Sequence, residues 1–159
     1  MKTAQEPFNR ILVATNGSGS SQAAVERGLE LAATDGAEVI FVHVRPPVAW
    51  RYGRLAPASA IPRRLPAPAQ DEALAGAVTR AEELGVPSRI ALLSGNAARE
   101  IVGVSDLVDA DLIVVGKSGR NPLRERVAPS VLHKSRRTVM IAKSHRPAVA
   151  RPRVLAPAA

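Results

Sequence analysis

A doubly wound α/β domain, with one parallel five-stranded sheet and helices on both faces, is the architecture that three observations predict. Five short apolar runs rich in β-branched residues alternate with stretches whose apolar positions recur at helical spacing. That alternation joins successive strands by helical crossovers and makes them parallel. The first and fourth runs end in glycine-rich turns, at Asn16 and Gly116. In such a sheet these turns fall at the carboxyl ends of strands, where open α/β sheets bind their ligands.

Arg10–Ala14 is the first strand, and Asn16–Ser21 supplies turn and N-cap chemistry for the helix that follows. Val25, Leu29 and Ala32 share one face of that helix, and Asp35 and Gly36 stop it. Residues 37–44 are the second strand. Residues 45–70 carry six prolines, which forbids an uninterrupted helix or central strand and predicts a long loop of the kind that flanks sites. Leu74, Ala77, Val78, Ala81 and Leu84 then mark an amphipathic helix closed by Gly85, and Arg89–Leu93 is the third strand. Asn96 caps the next helix, whose inward stripe is Ala98, Ile101, Val102, Ser105 and Val108. Asp111–Val115 is the fourth strand. A last helix from Pro129 to Arg136 precedes the fifth, Thr138–Ala142.

A chain of 159 residues with 46% hydrophobic content suits one core. Residues 1–143 are therefore read as one domain, and 144–159 as a basic, proline- and alanine-rich tail expected to be disordered. No apolar run of about eighteen residues is present to span a membrane. The polar N-terminal residues lack a signal-peptide core, so a cytoplasmic location is expected. The absence of cysteine excludes disulfides, thiolate catalysis and cysteine-ligated metals. The net charge of +8 is uneven: Arg45, Arg51, Arg54, Arg63 and Arg64 lie in the proline-rich loop, and Lys143, Arg146, Arg151 and Arg153 near the C-terminus, with no acid in either segment. Setting those nine aside leaves 13 basic against 14 acidic residues, a nearly neutral core. Trp50 and Tyr52 are too few aromatics for a base-stacking platform, so nucleic acid and membrane surfaces are disfavoured partners of the loop and tail.

Several motifs fall short of known sites. Gly17 and Gly19 begin a dinucleotide fingerprint, but Gln22 occupies the third glycine position and the second strand ends in His43, Val44 and Arg45 without a ribose-binding acid. Gly116, Lys117 and Ser118 resemble the end of a P-loop, yet the glycine required five residues earlier is Asp111. His43, His133 and His145 lie in different elements without metal-ligand spacing, and no nucleophile motif accompanies them. No catalytic residue is assigned, and no catalysis is expected.

What remains is a sequence of motifs in order: ILVATNGS at residues 11–18, VIFVHV at 39–44, GNAAREIV at 95–102 and DLIVVGKSG at 111–119. In that order they resemble the universal stress protein family over about residues 8–143. The resemblance implies an adenine nucleotide alpha hydrolase-like fold that binds adenine nucleotide (ATP, ADP or AMP) in a stress-response or regulatory role, with any divalent metal left open. It also implies a homodimer paired through the last strand, Thr138–Ala142. The competing class is a nucleotide-free dimeric interaction module that uses the basic loop and tail.

By the same resemblance, Ala14, Asn16 and Val44 border the adenine and ribose, Val115 and Gly116 the ribose, and Gly119, Ser130 and Val131 the phosphates. The family's nucleotide-binding members carry Gly-x-x-Gly, nine residues, then Gly-Ser or Gly-Thr. Here Gly119 is followed by nine residues and then Pro129 and Ser130. Proline removes one phosphate donor, and a hydrogen bond to a charged group is worth about 1.5–3 kcal/mol, or roughly ten- to a hundredfold in affinity. Lys117, Arg120, Arg124 and Arg126 place four cations around the same turn as compensating donors. Asn16 stands where the family usually has aspartate, keeping one carbonyl acceptor but exchanging charge for an NH₂ donor.

Overall fold

The computed structural model describes residues 6–47, 65–117 and 126–144. Gly119, Arg120 and Arg124, most of the basic loop, and the tail beyond Ser144 lie outside the described residues.

Five strands, β1 (Arg10–Ala14), β2 (Glu38–Arg45), β3 (Ser88–Ser94), β4 (Leu112–Gly116) and β5 (Thr138–Ala142), form one sheet in the order β3-β2-β1-β4-β5. Every neighbouring pair is parallel. Four α-helices, α1 (Gly19–Asp35), α2 (Glu72–Glu83), α3 (Ala97–Leu107) and α4 (Val127–Lys134), make the crossovers. The chain winds from β1 out to β3, then returns to β4 and winds out to β5. With right-handed crossovers this sends α1 and α2 to one face and α3 and α4 to the other.

The strand pleat divides the core the same way. Ile11, Val13, Val39, Phe41, Leu112 and Val114 pack with Ala24, Val25 and Leu29 of α1 and Leu74, Ala77 and Ala81 of α2. Leu12, Ile40, Val42, Ile113 and Val115 pack with Ala98 and Ile101 of α3 and Ala128 and Val131 of α4. Both faces of the central strands β1, β2 and β4 are thus covered, which is why they read as continuous apolar runs and not as an alternation. Among the described residues, no helix is long and apolar enough to cross a membrane.

Several boundaries differ from the sequence reading, for local reasons. The last helix starts at Val127, two residues before Pro129, and stops at Lys134. Ser135 ends it by adopting extended backbone while its hydroxyl accepts the Arg137 N–H at 2.9 Å. Leu84 is not part of an inward stripe: it is the C-cap of α2 and 41% exposed, and Gly85 at φ 65° turns the chain away. Asp111 lies outside β4, and its carboxylate accepts the N–H groups of Asn9 and Arg10 at 2.7 and 2.9 Å, tying the entrance of β4 to that of β1.

Candidate functional site

β1 and β4 are adjacent, and the chain leaves them for opposite faces, so the switch point lies outside their carboxyl ends. The turn at Asn16 and the first residue of the second glycine turn, Gly116, meet there. After β1, Gly17 takes a left-handed φ of 75°, and the Ser18 N–H donates to Asn16 Oδ1 at 3.0 Å in an Asx turn. Ser18 is the N-cap of α1. Beneath it, buried Ser21 knits the turn: its hydroxyl donates to the Ser18 carbonyl at 2.9 Å and accepts from the Asn16 N–H at 3.2 Å and the Thr15 hydroxyl at 3.3 Å. Asn16 is exposed above this network. Its carbonyl oxygen is engaged by Ser18, so it presents its NH₂ group outward.

Gly116 closes the other side of the switch point, and its lack of a side chain has a packing reason. A Cβ there would lie 2.2 Å from the Ser20 carbonyl oxygen, because the first turn of α1 rests directly on the end of β4. This close approach, rather than a special φ, requires glycine.

The apolar side chains expected to border a base come together on the face of α3 and α4. Ala14, Val44 and Val115 all belong to the second core cluster, Val115 fully buried and the other two half-buried. Val44 carries a further feature that sequence reasoning missed. In β2 the even-numbered residues bond to β1, as Val42 does through its carbonyl to the Thr15 N–H at 2.9 Å. Register pairing with β1 stops at Ala14 opposite Val42. The N–H and C=O of Val44 point toward β1 where β1 has already turned away, and the ladder gives them no partner there.

Ser130 and Val131 sit inside α4. The Ser130 N–H is bound to the Arg126 carbonyl at 3.0 Å, and the Val131 side chain is fully buried in the core. Pro129 occupies the third helical position of α4, not the first, and is exposed there. That position still lies among those whose N–H has no intrahelical partner, so proline costs the helix nothing but leaves its N-terminus one donor short. Lys117 and Arg126, the described basic residues nearest the second glycine turn, are exposed.

A well-formed cavity lies elsewhere. A cleft of about 940 Å³ opens between α1 and α2 on the opposite face, lined among others by Gln22, Glu26, His43, Asp71 and Arg80. Of the sequence-predicted site residues only Asn16 borders it. Its centre is Asp71, 2% exposed, which the sequence did not single out. One carboxylate oxygen accepts from His43 Nδ1 at 2.9 Å and from the Leu74 N–H at 3.2 Å, capping α2; the other accepts from the Arg45 guanidinium at 2.7 Å. Because an ionised carboxylate only accepts, the Nδ1 atom of His43 carries the proton. Burial pushes the Asp71 carboxyl up, but the bonds from His43, Arg45 and Leu74 outweigh it and hold the group below its ordinary value. No group of three or more His, Cys, Asp or Glu residues is placed to hold a metal ion among the described residues.

Comparison with known proteins fits this geometry. Residues 7–143 match the universal stress protein family. Universal stress protein YxiE of Bacillus subtilis (strain 168) is 30% identical over 134 residues, covering 80% of this chain and 90% of that protein. A universal stress protein crystallised in complex with cAMP superposes with a TM-score of 0.64 at 25% identity, over 87% of this chain and 98% of that one. The universal stress protein of Archaeoglobus fulgidus in complex with dAMP gives a TM-score of 0.62 at 24% identity, over 86% and 99% of the two chains.

Proposed function

Since this chain belongs to the universal stress protein family, we propose that it binds an adenine nucleotide across the carboxyl ends of β1, β2 and β4, as a signal or stabilising ligand in a stress-response role. The observation that carries the reading is Val44. Its peptide groups are open toward the switch point while its side chain, with Ala14 and Val115, offers an apolar surface. An N–H and C=O two atoms apart, without a ladder partner, match the alternating acceptor and donor edge of adenine, and the apolar side chains match its faces. A protein of this family binds cAMP in its crystal structure, which places the chain's relatives among adenine nucleotide binders.

The phosphate end is the weaker half. Val127 and Ala128 supply the first two helical N–H groups of α4, Pro129 supplies none, and the N–H of Ser130 is already used. We therefore favour AMP over ADP and ATP, with Lys117 and Arg126 as flanking cations. The role is binding and not turnover: His43, whose ring is oriented by a carboxylate, opens on the face opposite Val44 and Val115. The protein is read as a cytoplasmic homodimer in which the outer edge of β5 pairs with a second copy; Ile141 on that edge strand is 38% exposed.

The test is nucleotide retention and thermal shift. Purified protein denatured in acid releases adenine nucleotide, or Tm rises with added AMP as ligand linkage requires. Absence of both at millimolar AMP, ADP and ATP would overturn the assignment.

A further inference from the structure

We infer that Asp71 is a positioning residue for the base-binding wall: from one face of the sheet it holds the carboxyl end of β2, so that Val44 is fixed on the other. The inference rests on the nucleotide reading above and adds to it a residue that lies outside the binding surface.

β2 runs past β1. Ala14 is opposite Val42, and the next three residues, His43, Val44 and Arg45, are backed only by β3, through Leu92, Leu93 and Ser94. A strand end paired on one side alone has lost half of its ladder, and with it half of what fixes its backbone. Yet Val44 is the residue whose peptide groups must stand at a fixed spacing to meet a planar base.

The pleat supplies the remedy. Successive side chains alternate, so His43 and Arg45 project to the face of α2 while Val44 projects to the face of α3 and α4. Asp71 accepts from both flanking residues, one on each oxygen, and a third bond from the Leu74 N–H ties the same carboxylate to the first turn of α2. α2 is in turn anchored by Leu74, Ala77 and Ala81 in the core. The residues immediately before and after Val44 are therefore clamped to one buried anion. The Gly95 N–H adds a last fixed point at the Arg45 carbonyl, at 3.0 Å. Asp71 touches no part of the proposed nucleotide and acts through the backbone of β2.

The experiment uses the full chain. Binding of AMP and of ribose 5-phosphate is measured by calorimetry for wild type and Asp71→Asn, and amide hydrogen exchange at His43 and Arg45 for wild type, Asp71→Asn and Asp71→Ala. Asparagine retains a capping acceptor for Leu74 but loses the charge that holds His43 and Arg45 together. The expected result is AMP binding weakened about tenfold, the scale of one charge-assisted hydrogen bond, with ribose 5-phosphate binding unchanged. Exchange at His43 and Arg45 is expected to rise in both variants, more in Asp71→Ala. General damage to the domain would weaken both ligands alike and overturn the inference, as would equal AMP affinity in wild type and Asp71→Asn. Unchanged exchange at His43 and Arg45 overturns it whatever the ligand result. A wild type that binds no AMP, with exchange still raised in the variants, sinks the nucleotide reading and upholds the hold of Asp71 on β2.

Discussion

The two faces at the carboxyl end of β2 are built from consecutive residues and have opposite chemistry. Toward α2, His43 and Arg45 each give one donor to Asp71, whose carboxylate is buried and takes three donors. Toward α3 and α4, Val44 offers an apolar side chain and peptide groups with no ladder partner on the β1 side. The first face holds a cleft of about 940 Å³, the second a strand end whose peptide groups have no ladder partner. A ligand gains little from groups that already satisfy one another, since it must displace those bonds to make its own. An open cleft is thus not by itself a binding site, and here a cleft of paired groups and a strand end of open peptide groups lie on opposite sides of one sheet.

The contrast would be broken most severely at the switch point, where both faces meet. Gly116→Ala places a Cβ 2.2 Å from the Ser20 carbonyl oxygen and 3.0 Å from the Ser21 nitrogen, backbone atoms that cannot rotate aside. Either α1 lifts from β4 or the end of β4 bends, and overpacking of this kind costs about 3 kcal/mol. Urea denaturation should show that loss, together with loss of any nucleotide response. Gly28→Ala is the side-chain counterpart: its Cβ would meet a methyl of buried Val13 at 2.4 Å, so that side chain must shift, while alanine offsets part of the cost as the better helix former. Its cost should be smaller, about 2 kcal/mol. Equal losses would mean that the close approach of α1 to β4 is not the controlling contact.

A smaller break affects one face only. Asp71→Ala removes the N-cap of α2 and the partner of His43 and Arg45, at a cost of about 2 kcal/mol. Arg45 is partly exposed, so water takes over some of what it loses. The effect depends on pH with a definite sign. The folded carboxyl titrates below the ordinary value of 3.8, so the unfolded chain binds the proton first as pH falls. The stability gap between wild type and Asp71→Ala should be constant at neutral pH and shrink as pH falls below about 4. A gap that also closes between pH 8 and pH 6 would mean that a different group controls the clamp.

What was legible in the sequence follows the same division. Apolar runs located the five strands found among the described residues, most clearly β1, β2 and β4, which are buried on both faces, and less continuously the edge strands β3 and β5, where exposed residues interrupt the run. The turns at Asn16 and Gly116 were legible because glycine at a strand end is a local signal. Asp71 was not. Its role depends on His43 and Arg45, 28 and 26 residues away in the chain and reached across a proline-rich loop, and no local spacing encodes that meeting. The open peptide of Val44 was equally hidden, since it follows from where the neighbouring strand stops and not from valine itself. Gly116 was placed correctly but for an incomplete reason: turn chemistry suggested a tight bend, while the structure shows a helix resting on it.

Pro129→Gly sharpens the comparison by strengthening the open face. Restoring an N–H at the third position of α4 returns a phosphate donor, and AMP affinity should rise about tenfold if that donor limits binding. The gain should be lost for adenosine, which has no phosphate to receive it. Unchanged AMP affinity would place the limiting defect elsewhere on the face.

The smallest expected effect is at Asn16, which borders both faces. Aspartate can keep the acceptor that Ser18 uses, and its charge beside the first turn of α1 favours the helix by about 0.5 kcal/mol. Toward a ligand the exchange is sharper. With one oxygen engaged by Ser18, asparagine turns a donor outward, whereas the exocyclic amine of adenine and the hydroxyls of ribose need an acceptor. Asn16→Asp supplies one in the second carboxylate oxygen, and AMP affinity should tighten about threefold, the scale of one ordinary hydrogen bond. If affinity falls instead, the NH₂ group of Asn16 is itself bonded to a ring nitrogen, and this chain holds its base by a donor.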